Sequence, residues 1–186
     1  MKNSKTPLTF ILLIALSLAC TSKSTENQSL TEDSNTHEMH EAESNQPTTA
    51  ATATIAFKEE SITQIFNAYL AVKDALVESN GEKVSREAEK LKTLLTEEKY
   101  KSIKVDVQKI AESKDPEIQR ETFNSLSDQM IELAKNSELA TGNLFLQHCP
   151  MANGNKGANW ISLSEEIKNP YFGEKMLKCG SVTEKI

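Results

Sequence analysis

The sequence has little of the material from which specific chemistry is usually built. Three cysteines, three histidines and one tryptophan are spread over 186 residues, and aromatics are only 5% of the chain. Basic residues are outnumbered, with 21 Lys and Arg against 27 Asp and Glu, for a net charge of −6. A nucleic-acid binder needs a Lys/Arg surplus to displace counterions from phosphate, so no nucleic-acid partner is expected. Long apolar runs are also scarce. The one near the N-terminus excludes a multi-span membrane protein. The glycine-rich phosphate loop, HExxH and GxSxG are all missing. So are the C-x-x-C-H haem attachment and the paired C-x2-C of zinc sites. What remains is a small set of soft donors, and their positions carry the information.

Residues 1–19 read as a signal peptide. Lys2 and Lys5 give a positive start, and Leu8 to Leu16 form an apolar stretch too short to span a bilayer comfortably. Leu18-Ala19-Cys20 resembles a bacterial lipobox, with Ser17 where the common pattern has Leu. Cys20 is then the lipidated residue, and the chain is expected to be exported and anchored to a membrane through lipid. The expected side is periplasmic or the cell surface, an oxidising setting. Residues 20–56 form an acidic stretch, and its run from Ser22 to Thr54 has Leu30 and Met39 as its only large apolar residues. Such a segment cannot offset its ordering entropy and is expected to be a disordered tether. Within it lie His37, Met39 and His40. Chance composition accounts for them, and as metal donors they form only a weak auxiliary cluster.

From Phe57 the pattern becomes helical, and residues 57–186 read as one domain. Ile62, Ile65, Phe66, Tyr69, Val72 and Leu76 share one face, with Ser61 as the expected N-cap and Asn80-Gly81 as the stop. Val84, Ala88, Leu91 and Leu95 make a second stripe. A third opens at Thr96 with Tyr100, Ile103, Val107 and Ile110. Asp115-Pro116-Glu117 restarts a helix, with Asp115 as cap and proline at the first helical position. Its stripe is Ile118, Phe123, Leu126, Met130, Leu133 and Ala134. The expected fold is mostly α: an antiparallel four-helix bundle followed by a loop-rich C-terminal segment. Five of the six glycines lie from Gly142 onward. A short strand is expected at Leu144 to His148, with short helices at Ser164 to Ile167 and Gly173 to Leu177.

The soft donors of the domain fall in this last segment. His148-Cys149-Pro150-Met151 is one cluster, and Met176 with Cys179 is the other. Thiolate and thioether select soft ions, above all Cu(I), and imidazole suits copper and zinc. Pro150 stiffens the backbone between Cys149 and Met151. Met176 and Cys179 share a helical face if that stretch is helical. The five residues make a candidate metal site. A Cys149–Cys179 disulfide is the other reading, since lone cysteine pairs in an oxidising compartment commonly bond. Spacing leaves both open. An enzyme is not expected: neighbours in a strand point to opposite faces, so His148 would not activate Cys149 there. Trp160, Tyr171 and Phe172 read as cover for the loop segment.

Three stretches carry a resemblance. They are Tyr69-Leu70-Ala71-Val72-Lys73-Asp74-Ala75-Leu76, Gln119-Arg120-Glu121-Thr122-Phe123, and the run from Gln147 to Gly180, QHCPMANGNKGANWISLSEEIKNPYFGEKMLKCG. The sequence resembles domain of unknown function family 3347 over about residues 60 to 184. Members of that family are exported bacterial proteins, some fused to periplasmic adaptor subunits of heavy-metal efflux systems. The resemblance implies copper or a related cation, with His148, Cys149, Met151, Met176 and Cys179 at the family's soft positions. The expectation is a lipoprotein that binds or buffers copper beside a heavy-metal efflux adaptor, with no cofactor needed for folding. The alternative is a non-catalytic protein-interaction module stapled by the Cys149–Cys179 disulfide.

Overall fold

Residues 54–186 are described by a computed structural model. The expected signal peptide, Cys20, the auxiliary His37, Met39 and His40, and the tether up to residue 53 lie outside the described residues. Four long helices follow one another: α1 (Glu60–Val77), α2 (Gly81–Leu94), α3 (Lys101–Glu112) and α4 (Pro116–Lys135). A 3₁₀ turn, Glu98–Tyr100, leads into α3. α1 packs on α2, α2 on α3 and α3 on α4. The described part is mostly helical, with two small antiparallel sheets. One pairs β1 (Ala56–Phe57) with β2 (Leu139–Thr141). The other has the order β4 (Ala158–Ser162), β3 (Phe145–Cys149), β5 (Ser181–Lys185). No helix among the described residues is long and apolar enough to cross a membrane.

The stripes read from periodicity are the core. Ile62, Ile65, Phe66, Tyr69, Val72 and Leu76 are buried, as are Val84, Ala88, Leu91 and Leu95. In α4 the stripe is narrower: Phe123, Leu126, Met130 and Ala134 are buried, while Ile118 is 52% exposed. Met130 is core, as its spacing implied. Ile55, read as tether, is buried beside Phe57, so the ordered fold begins before residue 57.

The helix ends differ from the sequence expectation in instructive ways. Glu59, not Ser61, is the N-cap of α1. The Ser61 hydroxyl, inside the first turn, donates to Glu59 Oε1 at 2.6 Å. Ser79, at φ 53°, supplies the left-handed residue that stops α1. Asn80 then caps α2 from in front, its Oδ1 accepting from the Lys83 N–H at 3.0 Å. An asparagine oxygen can satisfy an orphan helical N–H, so Asn80-Gly81 starts a helix rather than ending one. Asp115 and Pro116 behave as expected, with Asp115 Oδ1 accepting from the Glu117 N–H at 2.9 Å. Ser164 accepts locally from the Glu166 N–H, but no helix follows it. Gly173–Met176 is a 3₁₀ turn. The C-terminal segment holds a three-stranded sheet where one short strand was expected.

One glycine fixes how α2 meets the α3–α4 corner. A Cβ on Gly81 would stand 1.9 Å from the Lys114 carbonyl oxygen. The buried Gln119 amide holds the same corner, donating to the carbonyls of Gly81 at 3.0 Å and Ser113 at 2.6 Å. Gly81→Ala is therefore expected to cost about 3 kcal/mol or more, the upper end for forced overpacking, because the clash is with backbone. Gly154→Ala, whose Cβ would meet nothing within 4 Å, carries only the strain of φ +63°, about 1–2 kcal/mol. Denaturant midpoints at unchanged slope measure both, and equal losses would show that the Lys114 contact is not what Gly81 serves.

Candidate functional site

β3 decides where the first soft cluster points. Its residues alternate in burial, with Phe145, Gln147 and Cys149 inward and Leu146 and His148 outward. Successive strand side chains point to opposite faces, so His148 and Cys149 are separated by the sheet although adjacent in sequence. Cys149 is fully buried, opposite Ala158 of β4. His148 faces Asn159 of the same strand, and its Nδ1 lies 2.9 Å from Asn159 Oδ1. An amide oxygen can only accept, so this bond places the proton of the neutral ring on Nδ1 and leaves the lone pair on Nε2. The ring edge rests on Gly157, where a Cβ would come within 2.6 Å of His148 Cε1. Desolvation holds the Asp128 carboxyl above its usual range, an effect partly offset by the Asn159 side chain.

Cys179 reaches Cys149 through a network of backbone bonds. The buried Asn169 is its centre. Asn169 Nδ2 donates to the Cys179 carbonyl at 2.7 Å, its N–H donates to Leu177 O at 2.9 Å, and its Oδ1 accepts from the Tyr171 N–H at 2.8 Å. Gly180, at φ 138°, then crosses close over β3. A Cβ there would stand 2.7 Å from the His148 carbonyl oxygen and 3.0 Å from Trp160 Cη2. The result is a sulfur–sulfur separation of 2.9 Å between Cys149 and the half-buried Cys179. The Cys149 thiol beside it holds Cys179 above the usual thiol range, with desolvation adding to the effect. A thiol held protonated is a poor nucleophile, since only the thiolate attacks.

The two methionines lie elsewhere, on one cavity. Met151, 48% exposed, and the half-buried Met176 both line a cavity of about 690 Å³. Tyr171, Phe172 and Arg120 line it too, together with the turn around Gly154. That turn runs through three left-handed residues, Asn153, Gly154 and Asn155. Arg120 builds the other side. Its Nε donates to Pro170 O at 2.8 Å, and its Nη2 donates to Leu76 O at 3.0 Å and Ser79 Oγ at 2.8 Å. The structure thus brings the two cysteines together and, separately, sets the two methionines on one cavity. His148 is turned to the outer face of β3. Neither cysteine nor His148 lines the cavity. Among the described residues no group of three or more His, Cys, Asp or Glu is arranged to hold a metal ion.

Trp160 and Tyr171 are core cover, as expected, with ring centroids 6.0 Å apart. Sequence reasoning missed Arg120, Asn159 and Asn169. Asn169-Pro170 was legible only as a turn, and Arg120 only as part of a motif without assigned chemistry.

Comparison with curated proteins and with solved structures gave no match. A family model does match, over residues 65–142. It covers the chain from α1 through β2 and stops before His148, so it leaves out the soft-donor segment that carried part of the resemblance. Residues 65–142 of this chain thus match the model of the family described as Protein of unknown function (DUF3347), the one that the sequence resembles.

Proposed function

We propose that this chain is an exported lipoprotein whose four long helices, read as an antiparallel bundle, carry a non-catalytic interaction module. In this reading a Cys149–Cys179 disulfide keeps the C-terminal segment in shape, and the cavity beside it receives the partner. The observation that carries the reading is the 2.9 Å approach of the two sulfurs. Two thiolates on one ion, with metal–sulfur bonds of about 2.3 Å near the tetrahedral angle, stand roughly 3.8 Å apart. From 2.9 Å the pair would have to close by about 0.9 Å to reach a disulfide's bond length, and to open by about as much to become ligands at this geometry. The outward His148, turned away from Cys149 by strand parity, also speaks for a structural rather than a catalytic pair.

A second reading, the binding or buffering of copper beside a heavy-metal efflux adaptor, is favoured by one observation. Met151 and Met176 come from different turns yet line the same cavity. These thioethers are soft donors of the kind Cu(I) prefers, and reduced Cys149 and Cys179, which do not line that cavity, would join them only after a rearrangement. The lipid anchor at Cys20 and the tether of residues 20–56 would hold either module near its membrane.

Two measurements separate the readings. In protein recovered unreduced from its compartment of export, no thiol of Cys149 or Cys179 is expected to titrate. Replacing both by serine should then lower stability by about 3–4 kcal/mol against the oxidised protein, from loop entropy. Free thiols at both positions would remove the disulfide. For the copper reading, reduced protein should take up close to one equivalent of Cu(I), and Cys149→Ser with Met176→Leu should abolish it. Uptake unchanged by that pair of substitutions would remove the metal site.

A further inference from the structure

The two cysteines that meet at 2.9 Å are unequal in access. Cys149 is fully buried, in one core cluster with Ala152, Ala158 and Trp160. Cys179 is half-buried. Lys178 before it is exposed, as is Ser181 two residues on. A molecule that reaches the pair from solvent therefore reaches Cys179. Thiol–disulfide exchange depends on which sulfur can be attacked, and exposed disulfides are the labile ones.

The backbone at Cys179 narrows the class of attacking thiol. Its N–H donates to Met176 O at 3.0 Å, and its carbonyl accepts from Asn169 Nδ2 at 2.7 Å. A protein that reads an extended segment does so through free main-chain groups. Both main-chain groups of Cys179 are engaged, and Gly180 holds the next residue tightly against β3. A small thiol needs only the sulfur.

We propose that Cys179 is a site of S-thiolation by a low-molecular-weight thiol of the glutathione class, with Cys149 as the buried thiol that resolves it. The proposal rests on the disulfide reading above. The incoming thiolate bonds to Cys179 Sγ, the bond between the cysteines breaks, and Cys149 leaves with the electron pair and takes up a proton. A second small thiolate then attacks the sulfur of the first and releases Cys179, which is protonated in turn. Two small thiols have become one small disulfide, and the cysteine pair has gained two electrons and two protons. In the reverse direction Cys149 attacks the mixed disulfide at Cys179 Sγ and expels the small thiol. The Asn169 bonds and the Gly180 crossing do not involve sulfur, so they keep Cys149 beside Cys179 in the mixed state and make that closure intramolecular.

The test treats the full chain, recovered unreduced, with glutathione at neutral pH and without denaturant, quenches with N-ethylmaleimide and maps the peptides by mass. Partly reacted protein is expected to carry glutathione on Cys179 and maleimide on Cys149. Folded Cys149→Ser should take up glutathione from glutathione disulfide at least about tenfold faster than folded Cys179→Ser, a difference that vanishes in denaturant. The proposal is overturned by glutathione on the Cys149 peptide, by equal rates for the two folded variants, or by a disulfide that opens only in denaturant. Reduction by thioredoxin where glutathione fails overturns the small-thiol assignment. Free thiols at both positions before any treatment would instead mark the failure of the disulfide reading itself.

Discussion

The Arg120 guanidinium is buried, and each of its three nitrogens is in use. Nε and Nη2 serve the carbonyls of Pro170 and Leu76 and the hydroxyl of Ser79, and Nη1 lies 2.9 Å from Glu117 Oε1. One side chain of α4 thereby joins the end of α1 to the entrance of the C-terminal segment. The local backbone is shaped around it. Ser79 takes a left-handed conformation, and Gly173, at φ +57°, packs so closely that a Cβ would stand 2.3 Å from Ser79 Oγ and 3.0 Å from Arg120 Nη2. A buried charge is tolerated only when it is paired and its donors are satisfied. Here that requirement fixes Tyr171, Phe172 and the 3₁₀ turn with Met176, which form one side of the cavity. Losing Arg120 would leave the Pro170 carbonyl without its donor and the Leu76 carbonyl with only the Ser79 N–H at 3.0 Å, so cavity and fold depend on the same contact.

The scarce aromatics do comparable work by being concentrated. Phe57, Phe66, Tyr69, Phe123, Tyr171 and Trp160 form a continuous chain of ring contacts, with centroid separations from 4.7 to 6.4 Å. The chain runs from β1 through α1 and α4 to β4. Tyr69 adds a polar tie within it. Its hydroxyl lies 2.8 Å from Ser127 Oγ and accepts from the Ile161 N–H at 3.2 Å, and burial pushes its pKa up to about 12. A low aromatic content therefore does not mean a poorly joined core. The rings sit where helices and sheet must be held together.

How much of this could be read from sequence follows from the length of each pattern. The α1 and α2 stripes repeat over several turns, and every residue named in them is buried. The strands are five residues or fewer, and of the three in the C-terminal sheet only β3 alternates in burial. β4, Ala158–Ser162, is buried at four of five positions because it packs on α4, and β5 is exposed throughout. A short run with no period of two looks like loop. The candidate site was legible as a cluster of residue types but not as a shape. Strand parity turns His148 from Cys149, and the two methionines reach their cavity through turns whose left-handed residues have only a weak sequence signal. Asn169 and Arg120 act through backbone carbonyls, which no side-chain motif reveals.

The cysteine pair illustrates how such contacts set chemistry. Asn169 holds the Cys179 carbonyl, and Gly180 permits the close crossing of β3, so the sulfurs meet through bonds that do not involve sulfur. The 30-residue separation of Cys149 and Cys179 is thus closed by the fold itself. A crosslink between atoms already in place acts mainly on the unfolded chain, where it removes loop entropy and adds little to the native contacts. The same preformed geometry bears on the metal reading. An ion entering the reduced pair would have to part the sulfurs against the Asn169 hydrogen bonds and the Gly180 crossing. A disulfide needs the sulfurs to close by about 0.9 Å and a shared ion needs them to part by about 0.9 Å, so the same Asn169 and Gly180 contacts set the cost of both movements.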